Sequence, residues 1–478
     1  MPFPFVLSTT SNISFQSSLT SSSHPSLPST ATSQRALLRA ALKSHKRLPP
    51  TDQANGLLSI ASTIHNYLRY LLTLDLALSG KPVAGEEVHV ALAKEPEIEW
   101  RPTLSSAFIP GREKDRVKGR GLDYEIFFVH HTLALVHQLV ARQSLLGLYA
   151  SSNPTSEQRA ALVQNASKSL KTAHSIHSYL LLRTNSSDDG PPNFPPGAVD
   201  ISAAVQSALQ HLTHAEFDLL CVLKDDPYPA LLVQSRNKDD REWMIKAPQI
   251  PKVRAQVLTR LGVGAAEHAS AAAVALKVEA SKVSKDLLEY CDGVRRTSRA
   301  KACRFQALDE DTAGSTGKGI AWLKAAMNEL GIEPPKEGSK SAGGLGRLKA
   351  SWNERREDKR IEKGSPNWGL DGGKLEEGRI VEYLYEKMTK ENDTINIQLI
   401  PEWKPLLSLL PSGMNMPMDD KRKPDILEEA ELAAMRAPPE DDDFKDAASS
   451  DEENGDRQPV GAFPGTHQEY GGNGAAYY

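Results

Sequence analysis

The longest apolar helical pattern in this chain runs from Asp123 to Tyr149. Apolar residues recur there at steps of three and four, which places them on one face of a helix. Those residues are Ile126, Val129, Leu133, Val136 and Val140. Phe128, Leu135 and Leu139 add a second apolar face, and a helix that is apolar on two sides needs neighbours on both. The segment therefore predicts the central helix of an all-α domain.

The same periodicity predicts helices on both sides of the central one. One helix begins near Ser33, and a long one follows residues 49–52 and ends at Gly80. Thr155 and Gln158 have the spacing of a capping box. Further helices are predicted over about 155–183, 201–224, 252–291 with a pause at 262–264, 297–311, 318–330, 348–363 and 375–390. Long helices joined by short loops favour helical hairpins stacked like a solenoid.

Three stretches do not follow the helical pattern. Residues 1–32 are rich in Ser, Thr and Pro, which predicts an extended arm that lies on the body or is partly disordered. Residues 86–101 could form a short strand or a small β-hairpin that Trp100 closes. Residues 225–251 contain four prolines and are predicted to be irregular, and the Gly-, Ser- and Lys-rich residues 336–346 are predicted to be a loop.

The C-terminal residues differ from the body in charge. Between Asp419 and Asp456, fifteen acidic residues stand against five basic ones, so this part carries −10 in a chain whose net charge is −4. Apolar periodicity is limited there to a short amphipathic piece from Ile426 to Met435. We therefore predict a helical domain over 1–418 and an acidic, low-complexity, largely disordered tail over 419–478. The mildly basic body is weak support for nucleic-acid binding, and none is predicted.

Cysteine usage and hydropathy indicate the cellular compartment. Cys221, Cys291 and Cys303 lie far apart without a Cys-x-x-Cys spacing, so neither a disulfide framework nor a zinc finger is indicated. The N-terminus lacks a signal-peptide pattern, and the chain has no apolar run of about eighteen residues. We expect a soluble, cytoplasmic protein whose membrane contact is peripheral.

Histidines recur at helical spacing in the predicted helices. They are His130 and His131 in the central helix, then the pairs His174 and His177, and His211 and His214. Four imidazoles on two facing helices could bind zinc or another transition metal. Because no carboxylate or thiolate is spaced to complete such a site, we interpret them as partly buried helix histidines. We predict no metal and no cofactor.

No catalytic constellation is recognisable in the sequence. Residues 313–319 resemble a phosphate-binding loop, but they lack the Gly-x-x-x-x-Gly-Lys-Ser/Thr register and a preceding strand. Neither a nucleophile elbow nor a paired-carboxylate motif is present. We predict a protein that is not an enzyme and has no catalytic residue.

Two basic clusters and one short motif are candidates for interaction. The cluster Arg295–Arg304 could contact lipid or an acidic partner, whereas Arg355–Lys363 alternates with acidic residues as a solvated helix face does. Residues 228–231 read Tyr-Pro-Ala-Leu, which is either an exposed Tyr-Pro-x-Leu peptide ligand or the first turn of a helix. The helical interpretation is favoured.

Four stretches share residues with one known family. They are Glu125 with Val129, Ala134 and Val136; Ala173 with Ile176, Tyr179 and Leu180; Lys301 with Phe305, Ala307 and Leu308, followed by 319–326; and 390–395 before Pro401. Together they resemble the Bro-type domain of endosomal-sorting adaptors, the relatives of Alix and PalA. His130, His131 and Thr132 depart from that family's usual Leu-Phe-Asn. The resemblance covers about 1–418 and is greatest to the members that act in the fungal response to ambient pH.

The resemblance implies a curved helical body with a tetratricopeptide-like core and a hydrophobic surface patch. In the family this patch holds the C-terminal amphipathic helix of the ESCRT-III core subunit. Carried over to this chain, the patch falls on Val257, Leu258, Leu261 and Met416, flanked by Lys252, Arg254 and Arg260. Apolar residues at this helical spacing are ordinarily core, so the residues alone leave both interpretations open.

The function implied by the resemblance is that of a non-enzymatic adaptor in alkaline pH signalling. Such an adaptor would bind the ESCRT-III core subunit and other pathway components at the plasma-membrane cortex or the endosomal membrane. Its output would be the proteolytic activation of a pH-responsive transcription factor. The alternative is a general helical scaffold or a peripheral lipid-binding protein in endosomal sorting, which would use the cluster Arg295–Arg304.

Overall fold

The computed structural model describes residues 2–106, 114–149, 155–185, 190–229, 231, 253–333, 368–418, 422–423 and 425–438. These ranges are mostly helical, which confirms the predicted all-α class. No helix within them is both long enough and apolar enough to cross a bilayer. The predicted loop 336–346, the predicted helix 348–363 with its basic cluster, and most of the acidic tail lie outside the described residues.

The helices follow the predicted segments, with shifts at their ends. They are α1 (Leu27–Arg47), α2 (Leu57–Leu78), α3 (Gly121–Tyr149), α4 (Ser156–Asn185), α5 (Ala203–Asp225), α6 (Ala255–Lys277), α7 (Lys285–Thr312), α8 (Thr316–Leu330), α9 (Lys374–Glu391) and the short α10 (Glu429–Ala433). The predicted capping box is present, because the Thr155 amide donates to Gln158 Oε1 at 3.0 Å and the Gln158 amide donates to Thr155 Oγ1 at 3.2 Å.

Two predicted interruptions in the C-terminal half are wrong. Helix α6 runs through 262–264 without a pause, and a Cβ on Gly262 would lie 3.1 Å from the carbonyl oxygen of Ser298 in α7. Glycine therefore allows two helices to approach closely here, and it does not end one. Helix α7 is also continuous from Lys285 to Thr312, so the break predicted between 291 and 297 is absent and the actual one lies at 278–284.

Each helix from α1 to α8 packs against the helix that follows it among the described residues. This is the neighbour-to-neighbour arrangement that the predicted stack of helical hairpins requires. The largest group of buried apolar residues joins the N-terminal arm and α1–α7, and a second group fills the space around α8 and α9.

Within the described part of the chain, five short strands form two small antiparallel sheets near the N-terminus. They are β1 (Thr9–Thr10), β2 (Leu19–Ser21), β3 (Val90–Leu92), β4 (Glu97–Arg101) and β5 (Val117–Arg120). The order is β1-β4-β5 in one sheet and β2-β3 in the other. Residues 86–101 therefore supply two strands that do not pair with each other, because the arm provides their partners. Phe3, Phe5 and Phe15 anchor that arm in the core.

Glu125 of α3 is fully buried and connects four elements. Its carboxylate accepts hydrogen bonds from Arg35 Nε of α1 at 2.8 Å, Tyr67 Oη of α2 at 2.9 Å and Trp100 Nε1 of β4 at 2.6 Å. Arg35, which is also buried, donates through Nη1 to the carbonyl oxygen of Ser11 at 2.7 Å. Both buried charges are therefore paired and hydrogen-bonded.

Buried histidines form a neutral layer between α3, α4 and α5. Burial lowers the pKa of His131 to about 3 and that of His177 to about 4. Gln206 of α5 links the two rings, since His177 Nδ1 donates to Gln206 Oε1 at 2.8 Å and Gln206 Nε2 donates to His131 Nδ1 at 3.1 Å. His130 is also buried, and its pKa is lowered to about 3.

Residues beyond 418 contact the body where the structure describes them. The Leu427 and Leu432 side chains are fully buried in the largest core group. Asp425 Oδ2 lies 2.8 Å from His65 Nδ1 of α2, and Glu431 forms an ion pair with Arg69 of the same helix. The division of the chain at residue 418 stays a prediction, but the amphipathic piece recognised in the sequence packs against α2.

Replacing Glu125 with alanine tests how far the fold depends on its carboxylate. The substitution leaves the Arg35 guanidinium buried and unpaired, so we expect the free energy of unfolding to fall by about 3–5 kcal/mol. Urea unfolding of the full chain, followed by circular dichroism, measures this loss. Glu87→Ala, at an exposed position, should change it by less than about 0.5 kcal/mol. Equal effects of the two substitutions would contradict a structural role for the Glu125 carboxylate.

The neutral histidine layer predicts acid sensitivity. Histidine has a pKa of about 6.5 in the unfolded chain, whereas that of His131 is about 3 in the folded chain. Between these two values the unfolded chain binds a proton that the folded chain does not, so the free energy of unfolding falls as the pH drops toward 3. Each buried histidine contributes a slope of up to about 1.4 kcal/mol per pH unit. The free energy of unfolding, measured with urea between pH 6.5 and 5, should depend less steeply on pH in His131→Gln than in the wild type. In His89→Gln, whose ring is exposed, this dependence should be unchanged. An unchanged slope in His131→Gln would be inconsistent with this origin.

Candidate functional site

The candidate partner-binding surface lies where the chain crosses back over α6. Residues 411–418, here called the return segment, bind α6 through two backbone carbonyls. The Met414 amide donates to the carbonyl oxygen of Arg260 at 3.0 Å, and Arg260 Nε donates to that of Ser412 at 3.3 Å. The return segment is thus bound along one turn of α6.

Helix α5 holds the other end of the return segment. The Met416 amide donates to Asp218 Oδ1 at 2.9 Å, and His214 Nε2 donates to the carbonyl oxygen of Met416 at 3.0 Å. Both backbone polar groups of Met416, the amide and the carbonyl, are therefore paired with side chains on successive turns of α5. Burial raises the pKa of Asp218 to about 7, although the Met416 amide opposes that rise.

Close approach of the return segment depends on a glycine in α6. A Cβ on Gly264 would collide with the carbonyl of Met414 and with the Asn415 side chain. Any larger residue at position 264 would therefore push the return segment away.

The structure separates the predicted patch into a buried and an exposed part. Leu258 and Leu261 are 1% and 4% exposed and pack with Phe305 of α7. Met416 is half-buried above them, as is Met414, which the sequence analysis did not single out. Val257 is 42% exposed on the neighbouring face.

The predicted basic residues flank this surface where the structure describes them. Arg254 and Arg260 are exposed at the N-terminal end of α6, and Lys252 lies outside the described residues. The accessible surface therefore combines an exposed valine and two half-buried methionines with two exposed arginines. Methionine side chains adapt to irregular apolar partners, and arginines pair with carboxylates, so the surface fits an amphipathic acidic helix.

The basic cluster Arg295–Arg304 is neutralised by acidic neighbours. Arg295 and Arg296 both pair with Asp292, at 2.8 and 3.1 Å, and Arg299 pairs with Glu329 at 2.9 Å. Arg304 is fully buried between Asp226 and Glu377, each at 2.5 Å. This cluster therefore does not present an array of unpaired cations to a lipid headgroup.

The Tyr-Pro-x-Leu sequence at 228–231 is not an exposed ligand. Tyr228 and Leu231 are 5% and 7% exposed, and the Leu231 amide donates to the carbonyl oxygen of Pro227 at 3.1 Å, as in a helical turn. The favoured interpretation, the first turn of a helix, agrees with this geometry.

The histidine pairs separate into two groups. His177 joins the neutral layer with His131, whereas His174, His211 and His214 gather around His268 of α6. His268 could not be recognised from the sequence because it lies far along the chain from the other three. Asp218 was not predicted either, although its position four residues after His214 places both side chains on one face of α5.

No family model matches this chain. The pH-response regulator protein palC of Emericella nidulans is 40% identical to it over an alignment of 508 positions, which covers 97% of this chain and 99% of that relative. The solved ALIX BRO1 CHMP4C complex matches with a TM-score of 0.51 and 13% identity, over 88% of this chain and 95% of that one.

A second solved structure also has a fold similar to that of this chain. ALIX in complex with the SIVmac239 PYKEVTEDL late domain matches with a TM-score of 0.52 and 14% identity. The match covers 92% of this chain and 52% of that one, so the chain spans about half of the longer ALIX polypeptide. At these identities the likeness concerns the fold alone.

Truncation of Leu261 and Val257 tests whether the first side chain is in the buried part of the patch and the second in its exposed part. Leu261→Ala removes buried contacts with Phe305 and the methionines, so the free energy of unfolding should fall by about 2–5 kcal/mol. Val257→Ala should cost less than about 0.5 kcal/mol, because that side chain is already hydrated. Urea unfolding of both variants measures the difference. Similar small losses would mean that the return segment does not cover Leu261.

Proposed function

Because the chain belongs to the family of the pH-response regulator protein palC, we propose that it is a non-enzymatic adaptor in ambient, alkaline pH signalling. The observation that carries this proposal is the 40% identity, which extends over 97% of this chain and 99% of the relative. Identity over nearly the whole of both chains supports an architecture shared between them.

The proposed partner is the C-terminal amphipathic helix of the ESCRT-III core subunit. Support comes from the fold, which is similar to that of the ALIX BRO1 domain found in a complex with CHMP4C, an ESCRT-III protein. A helix of this kind would lie in a groove with its apolar face down, as amphipathic helices do in other complexes. Other components of the pH-signalling pathway are further proposed partners.

We place the contact at the surface formed by α6 and the return segment. Val257, Met414 and Met416 would meet the apolar face of the partner helix. Arg254 and Arg260, with Lys252 nearby in the chain, would meet its acidic residues. Leu258 and Leu261 lie beneath the methionines, so they would contribute by supporting the surface or by direct contact if the return segment shifts.

The cellular setting of the proposal follows from the partner. The chain would act in the cytoplasm and be recruited to the plasma-membrane cortex or to the endosomal membrane, where ESCRT-III assembles. Its output would be the proteolytic activation of a pH-responsive transcription factor. The alternative of a peripheral lipid-binding scaffold has less support, since the acidic partners of Arg295–Arg304 neutralise that cluster.

Titration calorimetry with the full chain tests the partner and the surface together. The titrant is a peptide that spans the C-terminal helix of the ESCRT-III core subunit. Saturable binding is expected, and Val257→Asp and Arg254→Glu should each weaken it by at least about tenfold, which is 1.4 kcal/mol. Both positions are exposed, so circular dichroism should be unchanged.

Val274→Asp is the matched control for this experiment. Val274 is 61% exposed on the same helix but lies more than four turns from Val257, so its substitution should leave the affinity unchanged. Absence of binding by the folded wild-type chain would contradict the ESCRT-III partner. Binding that resists Val257→Asp and Arg254→Glu would retain the partner but reject this surface.

A further inference from the structure

Helices α5 and α6 bring two histidines and an aspartate to one point beside the return segment. One ring nitrogen of His214, one of His268 and a carboxylate oxygen of Asp218 all lie within 4.8 Å of one another. The His214 and His268 rings stack with their centroids 4.0 Å apart. Two imidazoles and a carboxylate are a common ligand set for zinc and related divalent metals.

The potential ligand atoms include two that are buried without a partner. His268 Nε2 and Asp218 Oδ2 are both inaccessible to water and make no hydrogen bond to any residue that the structure describes. Leaving a polar atom buried and unpaired costs free energy, so such atoms are uncommon in native structures. A metal ion between these two atoms would satisfy both of them.

Neighbouring groups already orient the proposed ligands. His211 Nδ1 lies 3.1 Å from His268 Nδ1, so one of the two nitrogens donates to the other. With His268 as the donor, its lone pair lies on Nε2, the unpartnered nitrogen. Asp218 is held in the same way, because its Oδ1 accepts the Met416 amide and its Oδ2 remains available. Metal ligands in proteins are typically fixed by such outer hydrogen bonds.

His174 of α4 lies at the edge of the cluster, with its ring 5.3 Å from that of His214. It is not among the residues whose ligand atoms converge, so a water molecule would take the fourth position of a tetrahedral ion.

From this geometry we propose that His214, His268 and Asp218 form a binding site for a divalent transition metal, zinc foremost. The ion would join α5 to α6. Because His214 Nε2 and Asp218 Oδ1 hold Met416, His214 would bind the ion through Nδ1, and the ion would fix the anchoring point of the return segment as well. Metal binding would not require a partner on the adjacent surface.

Metal titration of the full chain, prepared without a polyhistidine tag and stripped with a chelator, tests the site. Zn²⁺ is measured by competition with a chromophoric chelator, and Co²⁺ by its visible absorption, which is intense when the ion is tetrahedral. We expect one equivalent of metal per chain and a rise in melting temperature on zinc addition. His268→Gln and Asp218→Asn should each weaken binding by at least about tenfold.

Two further variants keep the test decisive if a ligand substitution perturbs folding. His89→Gln removes an exposed histidine far from the cluster and should bind metal as the wild type does. His268→Cys should retain Co²⁺ and add a thiolate-to-cobalt charge-transfer band in the near ultraviolet, which places the ion at residue 268. A folded wild-type chain that binds no metal, or equal binding by wild type, His268→Gln and Asp218→Asn, would overturn the proposal.

Discussion

A carboxylate at the centre of an apolar helix is the constraint on which the N-terminal half of this protein depends. Glu125 occupies a helix that is apolar on nearly every side, and burying its charge is tolerable only if donors surround it. Those donors come from three separate elements: Arg35, Tyr67 and Trp100. The arm joins the same network, because Arg35 also binds Ser11. Helices α1 and α2 and the three-stranded sheet therefore have one mutual arrangement that pairs both buried charges.

The C-terminal half has a comparable centre with the charges reversed. Arg304 of α7 is buried between Asp226, just after α5, and Glu377 of α9. Burial alone would raise the pKa of Glu377, but Arg304 and Lys301 lower it, so the carboxylate stays ionised. Two buried ion networks thus fix the order of the helices at either end of the stack, where apolar packing alone would tolerate sliding. We regard these two networks as interactions that select one arrangement of the helices.

The sequence predicted the helices well because their signal is local. A period near 3.6 and a capping box such as Thr155 with Gln158 can be recognised without knowing what lies opposite. Contacts distant along the chain could not be predicted in this way. For the Ser- and Thr-rich arm, the sequence left open whether it lies on the body or is partly disordered. The structure shows Phe3 and Phe15 buried by elements far along the chain. Glycines at 262 and 264 looked like a pause, whereas they accommodate α7 and the return segment.

The candidate site shows the same limit. Leu258 and Leu261 could be recognised as one apolar face, but only the structure shows that methionines from 150 residues downstream cover it. The histidine cluster takes members from α4, α5 and α6, and its last member, His268, has no local sequence signal. Periodicity thus indicates which residues face inward and leaves open what lies above them.

The covering of α6 by residues 411–418 and of α2 by residues 425–437 has a consequence for biosynthesis. Both helices are made long before the segments that cover them, so Leu261 and the apolar face of α2 remain uncovered until the ribosome has translated nearly the whole domain. Pairings between residues so distant in sequence also form slowly. Newly made chains are therefore open to capture by chaperones or by one another through these two faces, and folding is completed only after synthesis.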